Sequence, residues 1–146
     1  MKSLSLVSLA FLALSCTWYF QKQAITDTNI AFRTLLQDGS TFQFGKVWTF
    51  VIKSKQDEEG FMKTSLASRQ LPAVDYSTDM VICLLAGRAA GTTSVVTIDS
   101  VVEKPTVVRV YSHLSQNGSM AGGGHYPAHI IALPRIDKGI QFDAYP

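Results

Sequence analysis

Seven consecutive apolar residues, Met80 to Ala86 in "DMVICLLAG", constrain this chain more than any other feature. In extended backbone, alternate side chains project to opposite sides, so an unbroken apolar run reads as a central strand covered on both faces. The neighbouring segments follow a two-residue period. In "KVWTFVIK", Val47, Thr49, Val51 and Lys53 share one face and Trp48, Phe50 and Ile52 the other. In "SVVTIDSVV", strict alternation puts Val96, Ile98 and Val102 on one face, with Thr97 and Asp99 opposite. In "TVVRVYSHL" it groups Val108, Val110 and Leu114 against Arg109, Tyr111 and His113.

Turn residues divide these segments. Asp38-Gly39 predicts a short hairpin joining "NIAFRTLLQ" to "STFQF". Glu103-Lys104-Pro105 is a second turn, and Asp137-Lys138-Gly139 separates two closing strands, "AHIIALP" and "IQFDAY". One helix is expected. Ser54 and Asp57 have capping-box spacing, Glu58 and Glu59 add negative charge to the first turn, and Phe61, Met62 and Leu66 form an apolar stripe that ends before Pro72. Gly60 costs about 1 kcal/mol against alanine, so this helix is short and held by packing. The expected fold is α+β and mainly antiparallel, a compact sheet or sandwich with one short helix covering part of it.

The N-terminus has a different character. Lys2 precedes an apolar segment from Leu4 to Leu14, then Ser15 and Cys16, which is the layout of a secretory signal peptide. A spanning helix wants about 20 apolar residues, and Ser5, Ser8, Ser15 and Thr17 dilute this run. Ala13-Leu14-Ser15 satisfies the small-x-small rule for cleavage after Ser15. Ala13-Leu14-Ser15-Cys16 also resembles a lipobox, which implies lipid attachment at Cys16 as the new N-terminus. Lipoprotein processing, ordinary secretion and an uncleaved anchor are the three readings, in that order. The expected organisation is a signal peptide over 1–15, a lipidated tether over 16–28 and one β-rich domain over 29–146. Trp18, Tyr19 and Phe20 follow Cys16 and suit a membrane interface or a first strand.

Without Lys2 the mature chain has twelve basic and eleven acidic side chains, and no basic cluster. That balance argues against nucleic acid as a partner. With Cys16 acylated, Cys83 has no second cysteine to pair with; inside its apolar run it reads as a small buried hydrophobe.

From about Leu71 onward, "LPAVDYSTDMVICLLAGRAAGTTSVVTI" resembles the C-terminal domain of the PrcB-type protease complex subunit family. The matching features are Pro72, the triplet Val74-Asp75-Tyr76, the polar turn Ser77 to Asp79, the strand Met80 to Ala86, and then Gly87, Gly91 and Ser94 to Ile98. Pro127 with "HIIALP" and Phe142 resemble the closing strands, and Trp48 with the helix before Pro72 fits the lead-in. The chain departs from the family at Gly91-Thr92-Thr93, where two glycines and an aromatic are usual. The resemblance implies assembly with, or stabilisation of, a secreted protease. The residues themselves supply a local reason for the triplet: Asp75, Ser77 and Thr78 offer acceptors that fix a turn ahead of the apolar strand.

Sites of chemistry are weakly marked. His125 and His129 have four-residue spacing, but Pro127 stands between them in a loop-to-strand segment, and no cysteine or carboxylate completes a metal set. The Gly-rich stretch 115–127 has no helix after Gly124 to cradle a phosphate and reads as an exposed loop open to protein contact. No nucleophile elbow or comparable signature is present. The expectation is therefore a non-enzymatic, lipid-anchored envelope protein that acts through protein contacts. No cofactor or catalytic residue is assigned, and the expected partners are a membrane through Cys16 and a secreted protease. The rival expectations are a small-ligand or metal-binding envelope domain using His125 and His129, and a protease inhibitor inserting the Gly-rich loop.

Overall fold

The computed structural model describes residues 27–38, 46–64, 70–87, 94–115 and 126–143. Their elements are β1 (Thr28–Asn29), β2 (Arg33–Asp38), β3 (Trp48–Ile52), α1 (Lys55–Thr64), β4 (Asp79–Leu85), β5 (Val95–Glu103), β6 (Val107–Ser115), β7 (Ala128–Pro134) and β8 (Gly139–Asp143). They form two four-stranded sheets, a first of order β1-β5-β6-β8 and a second of order β2-β7-β4-β3. Every pairing is antiparallel except β6 with β8, which is parallel. The α+β, mainly antiparallel expectation holds in its sandwich form.

The apolar run explains the layering. Met80, Ile82 and Leu84 of β4, with Ile131 and Leu133 of β7, point toward the first sheet and meet Val96, Ile98, Val101, Val108 and Val110. Val81, Cys83 and Leu85, with Ala128, Ile130 and Ala132, point the other way and pack with Ile52, Phe61 and Leu71. The two central strands of the second sheet are thus buried on both faces. Five such side chains on one face and six on the other withdraw apolar area from water, which favours both covers.

Helix α1 is one of those covers, and it starts as its capping box requires. The Asp57 amide donates to Ser54 Oγ at 3.1 Å, and the Glu58 amide donates to Ser54 O at 3.1 Å. The Asp57 carboxylate reaches back one residue further than in the usual box and accepts from the Lys53 amide at 3.0 Å. That bond, with the one from Ser54, holds Asp57 below the usual carboxylate range. Phe61 carries the packing, being buried against Ile52. The residues that link Thr64 to Gln70, including Leu66, lie outside the described residues.

The turn ahead of β4 forms as its side chains dictate. Asp75 Oδ1 accepts from the Ser77 amide at 2.9 Å and the Ser77 hydroxyl at 2.6 Å. Asp75 O accepts from the amides of Thr78 and Asp79. The Arg135 guanidinium then donates to Tyr76 O at 2.9 Å and Lys53 O at 3.0 Å, joining this turn to the start of the helix.

Three features of the fold go beyond the local expectations. First, β2 is hydrogen-bonded to β7; the expected hairpin with 40–44 lies outside the described residues. Chain 28–38 crosses from one sheet to the other, because β1 pairs with β5 and β2 with β7. Second, the two closing strands on either side of the turn at Asp137 to Gly139, β7 and β8, lie in different sheets. That turn carries the chain between sheets, where Ile140 and Phe142 pack on the inter-sheet core. Third, the inward phase of β5 slips. Ile98 pairs with Ser112 and Ser100 with Tyr111, leaving Asp99 as an extra residue, so Val101 is buried and Val102 only half-buried. A bulge of this kind inserts one residue and moves every later side chain by one position.

Candidate interaction surface

The two cysteines have different fates. Cys16 lies outside the described residues, as do Trp18 to Phe20, His125 and residues 116–125 of the Gly-rich stretch. Cys83 is fully buried in β4, and burial pushes its thiol up, away from the thiolate a nucleophile needs.

His129 is also buried, and both ring nitrogens are engaged. The Ile98 amide donates to Nδ1 at 2.7 Å, so the neutral ring carries its proton on Nε2 and donates it to Thr34 Oγ1 at 3.0 Å. The lone pair that a metal would use is occupied by a backbone amide. The same tautomer leaves Thr34 an acceptor from His129, which is the wrong polarity for an activated hydroxyl nucleophile. Among the described residues no group of three histidine, cysteine, aspartate or glutamate side chains is placed to hold a metal.

His113 sits on the exposed outer face of the first sheet, with Nδ1 at 2.8 Å from both oxygens of Asp99. Asp99 lies on that face as alternation expects, and the bulge shifts only the residues that follow it. An aspartate orienting a histidine makes up two of the three members of a catalytic triad. The cross-strand hydroxyl, Thr97 Oγ1, accepts from Gln37 Nε2 at 3.2 Å.

Glu58 is nearly inaccessible at 8% exposure, which the helix-dipole reading of the Glu58-Glu59 pair missed. It accepts from the Tyr76 hydroxyl at 3.0 Å and from Lys55 Nζ at 2.9 Å. Burial first, and then the Glu58 carboxylate, push the Tyr76 hydroxyl above the ordinary tyrosine range. Glu58 and Lys55 line one side of a groove of about 600 Å³ between α1 and residues 70–73, with Met62, Lys63 and Leu71 also contributing.

At the β3 end of the second sheet the surface becomes aromatic and apolar. Phe61 packs edge-on to Phe50 at 5.0 Å between ring centroids, and Phe50 stacks on Trp48 at 5.6 Å. This ladder runs from the core outward to Trp48, which keeps 36% of its surface exposed, beside Val47 at 53%. Lys46 Nζ lies 5.3 Å from the centre of the Trp48 ring, in cation–π range. Gly87 fixes the position of Lys46: its φ of +74° lets the two backbones approach so closely that a Cβ would stand 2.6 Å from the Lys46 carbonyl carbon. Tryptophan is among the residues most enriched at protein contacts.

No helix among the described residues is long and apolar enough to cross a membrane. No family model matches the chain, and neither a curated protein nor a solved structure shows significant similarity to it.

Proposed function

We propose that this chain is a non-enzymatic envelope protein, lipid-anchored through Cys16, whose β-sandwich engages a protein partner at the β3 end of the second sheet. The observation that carries the reading is the Lys46-Val47-Trp48 step. It presents exposed apolar and aromatic surface at the start of β3, the last strand of its sheet among the described residues, backed by the Phe50–Phe61 ladder. A sheet edge with adjacent side-chain anchors suits strand addition by an extended segment, with main-chain bonds for affinity and the side chains for selection. The PrcB-type resemblance of the second half names the partner class as a secreted protease. The non-enzymatic part draws support from the side chains best suited to chemistry. Cys83 is core, His129 bridges Ile98 and Thr34, and Glu58 is tied to Tyr76 and Lys55. A lipid on Cys16 would raise the effective concentration near a membrane-bound partner.

Capture from detergent-solubilised membranes tests this, comparing wild type with Trp48→Ala and Val47→Asp, neither of which is a buried residue. Recovery of a protease by wild type and its loss in both variants is the expected result. Equal recovery by all three sinks the β3 surface, and no protease with any of them sinks the partner class. Palmitate labelling of wild type and Cys16→Ser tests the anchor separately; persistent labelling of the variant excludes Cys16.

A further inference from the structure

The edge of β5 that faces away from β6 has two halves. Over its later half, β1 pairs with Val102 and Glu103, and the Ile30 amide donates to Val101 O at 2.8 Å. Over its earlier half, among the described residues, side chains from the other sheet take the place of a strand. The Ile98 amide donates to His129 Nδ1 at 2.7 Å, and Gln37 Nε2 donates to Val96 O at 3.0 Å. His129 belongs to β7 and Gln37 to β2, and the two are register partners. The bulge at Asp99 divides the halves, since it turns the edge from β1 toward the second sheet.

We infer that His129 is an acid-released clasp between the two sheets, whose protonation frees the Val96 to Ile98 edge of β5. The geometry compels the direction. An imidazolium has no lone pair, so Nδ1–H would face the Ile98 N–H, donor against donor, in a buried site. Two penalties then coincide, an amide without an acceptor and a charge without solvent. Opening the edge relieves both, because water can then solvate the ring and the amide.

The surrounding charges were arranged in turn. Asp99 of β5 is the carboxylate that favours the imidazolium, and it is itself engaged by His113 of β6. From β2 the ring faces the uncharged Thr34, and Arg33 on that strand pairs with Asp79 at 3.7 Å. From β4 the register partner of His129 is Leu84. Desolvation outweighs Asp99 and holds His129 below its ordinary value. The sign follows. A depressed native value gives stability that is full above the unfolded value of about 6.5 and is lost as pH falls through the native one. The released edge would present a backbone donor and acceptor in extended conformation, the groups that strand addition uses. The clasp does not rest on the function proposed above.

Amide exchange of the folded chain tests the clasp, with protection factors for Ile98 compared at about pH 7.5 and about pH 5. Wild type is expected to lose protection at Ile98 at the lower pH, in the direction that the depressed value of His129 sets. His129→Gln should abolish that pH dependence, and His113→Gln should retain it. Unchanged Ile98 protection in wild type overturns the clasp, as does an equal loss in His129→Gln. Should His129→Gln fail to fold, nitrogen chemical shifts of the wild-type ring decide. A proton on Nδ1 at neutral pH, or titration of His129 above its ordinary value, overturns the clasp, whereas a protonated Nε2 and a depressed titration support it.

Discussion

Two glycine-to-alanine substitutions should move stability in opposite directions, and the structure fixes both signs. Gly87 follows β4 with φ at +74°, and an added Cβ would meet the Lys46 backbone at 2.6 Å (C), 2.9 Å (Cα) and 2.9 Å (O). The left-handed conformation alone costs an L-residue about 1–2 kcal/mol. The steric overlap is with backbone, so no side-chain rotation relieves it. Lys46 leads into β3, whose Trp48 pairs with Leu85 of β4, and separating the two chains strains that pairing. Overpacking of this sort adds about 1–3 kcal/mol. Gly87→Ala should therefore destabilise by roughly 2–5 kcal/mol, which for a domain of this size lowers Tm by roughly 10 °C or more. Gly60 lies exposed inside α1 with no atom within 4 Å of the added Cβ. Gly60→Ala should stabilise by about 0.5–1 kcal/mol, because alanine loses less backbone entropy in a helix. Thermal and urea unfolding followed by far-UV circular dichroism reads both. A Gly87→Ala protein within about 0.5 kcal/mol of wild type, or a shared sign for the two variants, refutes the close approach of β3 and β4.

Further outcomes test other parts of the structure. Val101→Ala should cost about 2 kcal/mol in urea unfolding and Val102→Ala much less, because the bulge buries the former; a reversed order removes the bulge. Tyr76→Phe should cost about 1–2 kcal/mol, and a double-mutant cycle with Glu58→Gln should show coupling between the two side chains. The raised Tyr76 hydroxyl contributes stability that is full below about pH 10 and declines at higher pH, so Tyr76→Phe should flatten the alkaline limb of the pH–stability curve. In a Cys16→Ser background, Cys83 should react with a thiol reagent only after denaturant is added, and rapid labelling of the native protein would contradict its burial.

Local rules account for much of what the sequence made legible. The Met80 to Ala86 run implied a doubly covered strand, and β4 is one. Ser54 and Asp57 implied a helix start, Asp75 a turn, and Cys83 a core residue, each settled by neighbours a few positions away. The misread features involve partners far along the chain. Alternation carries no mark of where a residue is inserted, so the Asp99 bulge and the burial of Val101 were invisible. A turn such as Asp137 to Gly139 reads the same whether it closes a hairpin or crosses between sheets. The four-residue spacing of His125 and His129, broken by Pro127, carried no mark of what His129 would meet. In the fold His129 meets Ile98 and Thr34, at separations of 31 and 95 residues.

The sequence by itself determined where the main strands and the helix lie, and that the chain needs cover on both sides of one strand. These follow from hydrophobic period and short-range hydrogen bonding, which act over one or two turns of backbone. Only the tertiary structure decided which strands share a sheet, that β6 and β8 run parallel, and that Trp48 forms the outer end of an aromatic ladder. It also decided that a buried histidine bridges the two sheets. Strand partnership is a competition among many similar apolar faces. Its winner depends on how both sheets close at once, a condition that no local segment contains.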